Sequence, residues 1–204
     1  MNHKVNNVQQ LHESAMTLYN NVVVGGDCSA DSILHNLNQG IENLKVNWKG
    51  MDAGLRIQEI IGVYNGMVSV RNALAKLAIA SSKTAADYRE IQIANGARNE
   101  TLTVLTDEPK TVLGEYTDTN DTVDINQAAE AGKNFIDTAN NSIDSFASMV
   151  KGKYDEIMEN WTAGAGRDVA VNAYETFLSN LNQYKSVLSN ASQNITKALQ
   201  NYTF

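Results

Sequence analysis

Proline is nearly absent from this 204-residue chain: Pro109 stands alone beside 13 Gly and abundant Ala, Leu, Asn and Gln. A many-stranded sandwich or barrel needs far more turn punctuation, so helices are the expected element. Cysteine occurs once, at Cys28, which excludes an internal disulfide and leaves the redox compartment unread. Cations are outnumbered, 16 Lys and Arg to 23 Asp and Glu, for a formal net charge of −7 with the acidic excess in the middle of the chain. Gripping a nucleic-acid backbone takes clustered cations, so no nucleic-acid partner is expected. No run of 18 apolar residues exists, so no transmembrane helix is expected. Met1 to Val8 is polar and lacks a charged stretch followed by an apolar core, which argues against a general secretory signal peptide.

Hydrophobic periodicity is plentiful. Val8, Leu11, Ala15, Leu18 and Val22 recur at spacings of three and four, which keeps them on one helix face up to Gly25-Gly26. Ser29 or Asp31 then caps a second run through Leu34, Leu37, Ile41, Leu44 and Trp48. The segment Trp48-Lys49-Gly50-Met51-Asp52-Ala53-Gly54 carries two Gly and a capping Asp, so the chain reverses there. From Leu55 a stripe through Ile57, Ile60, Tyr64, Met67, Leu74 and Ala85 to Tyr88 predicts a helix of roughly 50 Å with a polar face along its length.

Residues 95–126 break the pattern with Asn95-Gly96, many Thr and acids, and the lone Pro; they read as an acidic, Thr-rich linker or exposed excursion. Within it, Leu102–Leu105 and Val112–Leu113 are candidates for a small hairpin around Asp107-Glu108-Pro109. Residues 127–204 then repeat the first design. A stripe from Ile136 to Trp161 leads to a turn at Ala163-Gly164-Ala165-Gly166, and a second stripe runs from Ala170 to Tyr202, alternating four and three without a slip. Spacing that averages 3.5 residues favours long antiparallel packing at shallow angles. An offset of 114 lays Gly50 on Gly164, Ile60 on Tyr174, Met67 on Leu181, Leu74 on Leu188 and Tyr88 on Tyr202, with Trp48 and Trp161 one residue out of step. The expected fold is all-α: a first helical hairpin with an extra N-terminal helix over 1–94 and a second hairpin over 127–204, packed as a pseudo-symmetric four-helix bundle.

With the Asn-Trp-Lys-Gly turn at 47–50 between two long amphipathic helices, the chain resembles the WxG (ESAT-like) proteins, small partners in type VII secretion. The resemblance covers residues 29–94 well and 127–204 more loosely. Trp48 and Gly50 fall on the family's Trp-x-Gly positions; Trp161 matches as well, while Ala163 takes the Gly place and Gly164 follows one residue later. The Gly permits a tight reversal at positive φ, and a Trp at its helix end plugs the gap between neighbouring tips. The resemblance implies a tandem chain equivalent to a fused dimer, exported without a cleaved signal or cytoplasmic before export. Its export tag, a Tyr followed four residues later by an acid, is missing: Gln92 follows Tyr88 and Leu178 follows Tyr174. Export therefore points to a tagged partner, the secretion apparatus, or a larger effector of the LXG type whose helical domain this chain accompanies.

Candidate chemistry is sparse. His3, His12 and His35 lie without acids or Cys at metal-ligand spacing, and Cys28 has no nearby His, so packed or surface roles are expected and no cofactor or metal is implied. Asp118, Asn120, Asp121 and Asp124 faintly resemble a calcium loop but lack its central Gly and terminal Glu. Arg71 interrupts an apolar stripe and reads as solvated or ion-paired; Tyr64, Tyr88, Tyr174, Tyr184 and Tyr202 read as core-edge packing. The leading expectation is a non-enzymatic protein-binding module of type VII secretion, its association with further copies left open. A structural or regulatory bundle unrelated to export is the alternative. A helical pore-former is third, since its uncharged polar faces and negative charge attract anionic lipid poorly.

Overall fold

The computed structural model describes residues 4–118, 124–141 and 143–202, with Met51, Ile125 and Tyr202 as backbone only. The chain is mostly helical. Asn7 caps α1 (Val8–Thr17), its side chain accepting the Gln10 N–H at 3.0 Å. The helix runs on as a π-helix (Leu18–Val24), whose wider turn carries both Val22 and Val23 into the core. It stops at Gly25, and Gly26 has φ 92°. Ser29 caps α2 (Ala30–Asn47) by accepting the Ser32 N–H at 3.1 Å, and Trp48 ends it. After Gly50 comes α3 (Met51–Ala94), whose 44 residues span about 66 Å. Asp124 opens α4 (Ile125–Asn141), accepting the amides of Asn126 and Gln127 at 3.1 and 3.2 Å. Then follow α5 (Ile143–Glu159), a short strand β2 (Trp161–Ala163) and α6 (Ala165–Tyr202). β2 pairs antiparallel with β1 (Lys4–Val5), Lys4 facing Ala163 and Val5 facing Trp161.

The two longest helices form the largest interface and run antiparallel. The Asn180 amide donates to the Ser69 carbonyl at 3.1 Å, Gly66 lies against Tyr184, Gly62 against Val187, and Asn194 donates to Glu59 at 3.1 Å. Along α3, α1 and α2 follow one another in line: Arg89 donates to Gln9 at 3.1 Å near one end and Arg71 to Asp31 at 2.9 Å near the middle. The segment expected as an extra N-terminal helix is thus placed beside the C-terminal part of α3. Along α6, α4 and α5 follow in the same way, with Tyr184 donating to the Ala139 carbonyl at 3.2 Å and the Phe146 and Phe177 rings edge to face at 6.2 Å. Where α2 crosses α4, Gly40 admits the Phe135 ring; a Cβ at Gly40 would lie 2.9 Å from it.

The polar face predicted along α3 narrows in its middle to a strip of Ser69, Asn72, Lys76 and Lys83, while Val68, Val70, Arg71, Ala73, Leu74, Ala75, Leu77, Ala78, Ser81 and Ser82 are all buried. Its stripe fits one apolar face, but the helix has neighbours on nearly every side, and small Ala and Ser residues accommodate them. One expectation is corrected: the small hairpin within 95–126 does not form, because residues 97–118 contain no helix or strand. They lie instead as an extended strap running back along α3, each end of which finds bonds on the rod. Leu105 N–H donates to Ser82 Oγ at 3.0 Å, and near the other end Tyr116 N–H donates to Gln58 at 2.7 Å.

Candidate functional site

The candidate residues Trp48, Gly50, Trp161 and Gly164 sit at two chain reversals. Because α3 and α6 are antiparallel and each begins at a reversal, the two turns lie at opposite ends of the molecule. Trp48 ends α2 and is fully buried, and Gly50 at φ 108° starts α3. Trp161 follows α5, is 1% exposed, and Gly164 at φ 124° starts α6. A side chain with a Cβ is strained at either positive φ, so Gly is what permits both reversals. Gly164 comes one residue later than Gly50 relative to its Trp, and the additional residue belongs to the three-residue strand β2 that pairs with β1. The Trp48 indole N–H is buried with no acceptor among the described residues.

Between the turns lies the strap's attachment, which sequence reasoning missed. Asn72 donates to the Lys110 carbonyl at 2.9 Å and accepts its N–H at 2.9 Å; Asn65 does the same with Leu113 at 3.1 and 2.8 Å. Gln58 accepts from Tyr116, so Gln58, Asn65 and Asn72 grip Tyr116, Leu113 and Lys110 in turn. Seven helical residues rise about 10.5 Å, and three extended residues span about 10 Å, so the two repeats keep step. The carboxamides bind main chain, and the three stand seven residues apart on the polar face of the rod.

One charged cluster pins the strap where it leaves this row. Arg71, 2% exposed, donates Nε–H to Asp31 at 2.9 Å and both terminal nitrogens to Asp107, the Nη2 bond at 2.7 Å. Tyr19 on the π-helix donates its hydroxyl to Asp107 at 2.8 Å. Burial works against charge on both partners, but the Arg71 and Tyr19 bonds hold the Asp107 carboxyl below its ordinary range, while Asp107 and Asp31 raise the guanidinium above its own. Of the two roles expected for Arg71, ion pairing is the one observed, and solvation is not. Asp107, hidden in the linker, gave no sign of its partner.

Each turn opens onto a groove. At the Trp48 end a cleft of about 400 Å³ is walled by Gly54, Leu55 and Gln58 of α3 and by Glu115–Asp118 of the strap. Asp118 reaches the Gly50 N–H at 3.4 Å. At the Trp161 end a larger groove of about 620 Å³ runs between α3 and the start of α6. Its floor is Ile79, Ala80, Trp161 and Gly166; Lys76, Lys83, Asp87 and Val169 form the rim. A Cβ at Gly166 would stand 2.9 Å from the Trp161 ring, so the glycine lets α6 begin directly against it.

The remaining candidates have structural settings. His12 is half-buried and desolvation lowers its pKa; His35 is exposed; Cys28 is half-buried and unpaired. His3, Asn120 and Asp121 lie outside the described residues, and Asp118 and Asp124 sit at helix starts. Among the described residues no group of three or more His, Cys, Asp or Glu is placed to hold a metal ion, and no helix is long and apolar enough to cross a membrane. Tyr184 is fully buried, whereas Tyr174 is half-buried and stacks on Tyr154 with ring centres 3.6 Å apart. No protein-family model, curated protein or solved structure matches the chain.

Proposed function

We propose that the chain is a non-catalytic protein-binding module of the WxG type, associated with type VII secretion as an export partner or effector companion. In this reading α1, α2 and α3 form one hairpin and α4, α5 and α6 the other, fused into a four-helix bundle equivalent to a dimer of single hairpins. The observation that carries it is the pair of reversals: at each, a buried Trp precedes a positive-φ Gly that starts a long return helix. The antiparallel contact of α3 with α6, which sets those reversals at opposite ends, supports the same reading. Function then resides in exposed grooves and helix faces.

Co-expression with the helical domain of an effector from the same operon tests this. A stable complex, with effector export lost on deleting this gene, is the expected result. No complex and unchanged export would remove the reading and leave a structural or regulatory bundle, the class favoured by the missing Tyr-x-x-x-acid tag.

A further inference from the structure

We propose that the groove at the Trp161 end binds an extended peptide of a partner protein, one with acidic side chains three residues apart and a large apolar side chain between them. The inference deepens the protein-binding reading and rests on it. It begins with the row of α3 that the strap follows. Gln58, Asn65 and Asn72 share one helix face, and steps of four, three and four from Asn72 lead to Lys76, Ile79 and Lys83 on that face. The strap leaves the row near Asn72, where Asp107 turns aside to Arg71 and Tyr19 and Leu105 goes on to Ser82. Beyond that point the track is bare of strap and becomes the 620 Å³ groove. One face of one helix therefore carries an extended segment along its first half and an open groove along its second.

The chemistry of the vacant half differs from that of the filled half, and this selects the occupant. In place of carboxamides it offers Lys76 and Lys83, both exposed and without an ion pair among the described residues. Seven residues apart, they stand about 10.5 Å from each other along the rod, which is the reach of three extended residues. A peptide in the strap's conformation thus places carboxylates at i and i+3 beside the two ammonium groups. Side chains between them fall on Ile79, the Trp161 ring and Val169, which is 56% exposed in a protein of net charge −7. Asp87 at the far rim sets the register, since it opposes a further carboxylate one helical turn beyond Lys83.

The probe is a fluorescein-labelled octapeptide, Gly-Ser-Glu-Leu-Ile-Glu-Ser-Gly, titrated with the full chain and read by fluorescence polarisation. Saturable binding is expected, weakened at least tenfold by Lys76→Glu with Lys83→Glu and by Val169→Asp. Replacing both Glu of the peptide with Lys should abolish binding to the parent chain and restore it to the Lys76→Glu, Lys83→Glu variant. Leu55→Asp at the opposite end should change nothing. No saturation at 1 mM protein, or affinity indifferent to the Lys pair, overturns the assignment; all three positions are exposed, and unchanged circular dichroism checks that the variants fold. If a native partner co-purifies equally well with these variants, the protein-binding reading stands and the groove assignment alone fails.

Discussion

The helices α3 and α6 begin alike, each after a buried Trp and a left-handed Gly, and carry matching apolar stripes, yet their outer faces diverge. α3 is wrapped by α1, α2, α6 and the strap until its middle keeps only a narrow exposed strip at Ser69, Lys76 and Lys83; α6 keeps a broad polar face. The offset of 114 makes the contrast quantitative. Arg71 corresponds to Lys185: the first is 2% exposed and bonded to Asp31 and Asp107, while the second, 44% exposed, meets an Asp144 that is 87% exposed. Gln58, Asn65 and Asn72 correspond to Asn172, Ser179 and Ser186, of which none has a main-chain segment bonded to it among the described residues. Repetition of an apolar stripe therefore does not repeat an environment. Which polar residues surround the stripe decides whether a rod is wrapped or left bare.

The largest test of this comparison is the charge pair. Arg71→Met leaves Asp107 buried without its cation and is expected to cost about 3–5 kcal/mol, whereas Lys185→Met should cost about 0–1 kcal/mol. Urea unfolding of both variants measures the difference, and equal losses would erase the distinction between the rods. Next come the turns. Trp48→Ala removes a fully buried ring and should cost about 3 kcal/mol, while Trp48→Phe should be far milder because the indole N–H has no acceptor to lose. Thermal melting of Trp48→Ala indistinguishable from the parent would place that ring outside the packing.

A smaller effect is expected of the carboxamide row. Asn72→Ala breaks two bonds to Lys110 and should cost about 1 kcal/mol, with faster hydrogen exchange confined to strap amides near Lys110. Ser186→Ala on the bare rod should stay within about 0.5 kcal/mol.

The mildest test is pH. Asp107 has a depressed pKa, so the folded state binds its proton less readily than the unfolded chain. Its stabilisation is complete above the ordinary carboxylate value of about 4 and is lost as pH falls through the lower folded value. His12, also depressed, contributes above the ordinary histidine value of about 6.5 and loses that contribution on acidification. Stability should decline in two stages, the upper flattened by His12→Gln and the lower by Asp107→Asn. An upper stage that survives His12→Gln and a lower stage that survives Asp107→Asn would show that neither group senses its surroundings as placed.

Helical content, the reversals at Trp48-Gly50 and Trp161-Gly164, the Ser29 cap and the inward stripes were legible in the sequence, because each depends on residues within a turn or two of one another. The strap, the partner of Arg71 and the open groove at Trp161 were settled by the tertiary structure alone. Asp107 lies 36 residues from Arg71 and Tyr116 lies 58 from Gln58, so no local period reports either pairing. An extended segment that bonds to side chains forms no ladder of its own and reads as linker until the rod beneath it is in place. A periodic pattern shows which way a side chain faces along its own helix; what stands opposite it is decided only when distant segments compete for the same surface.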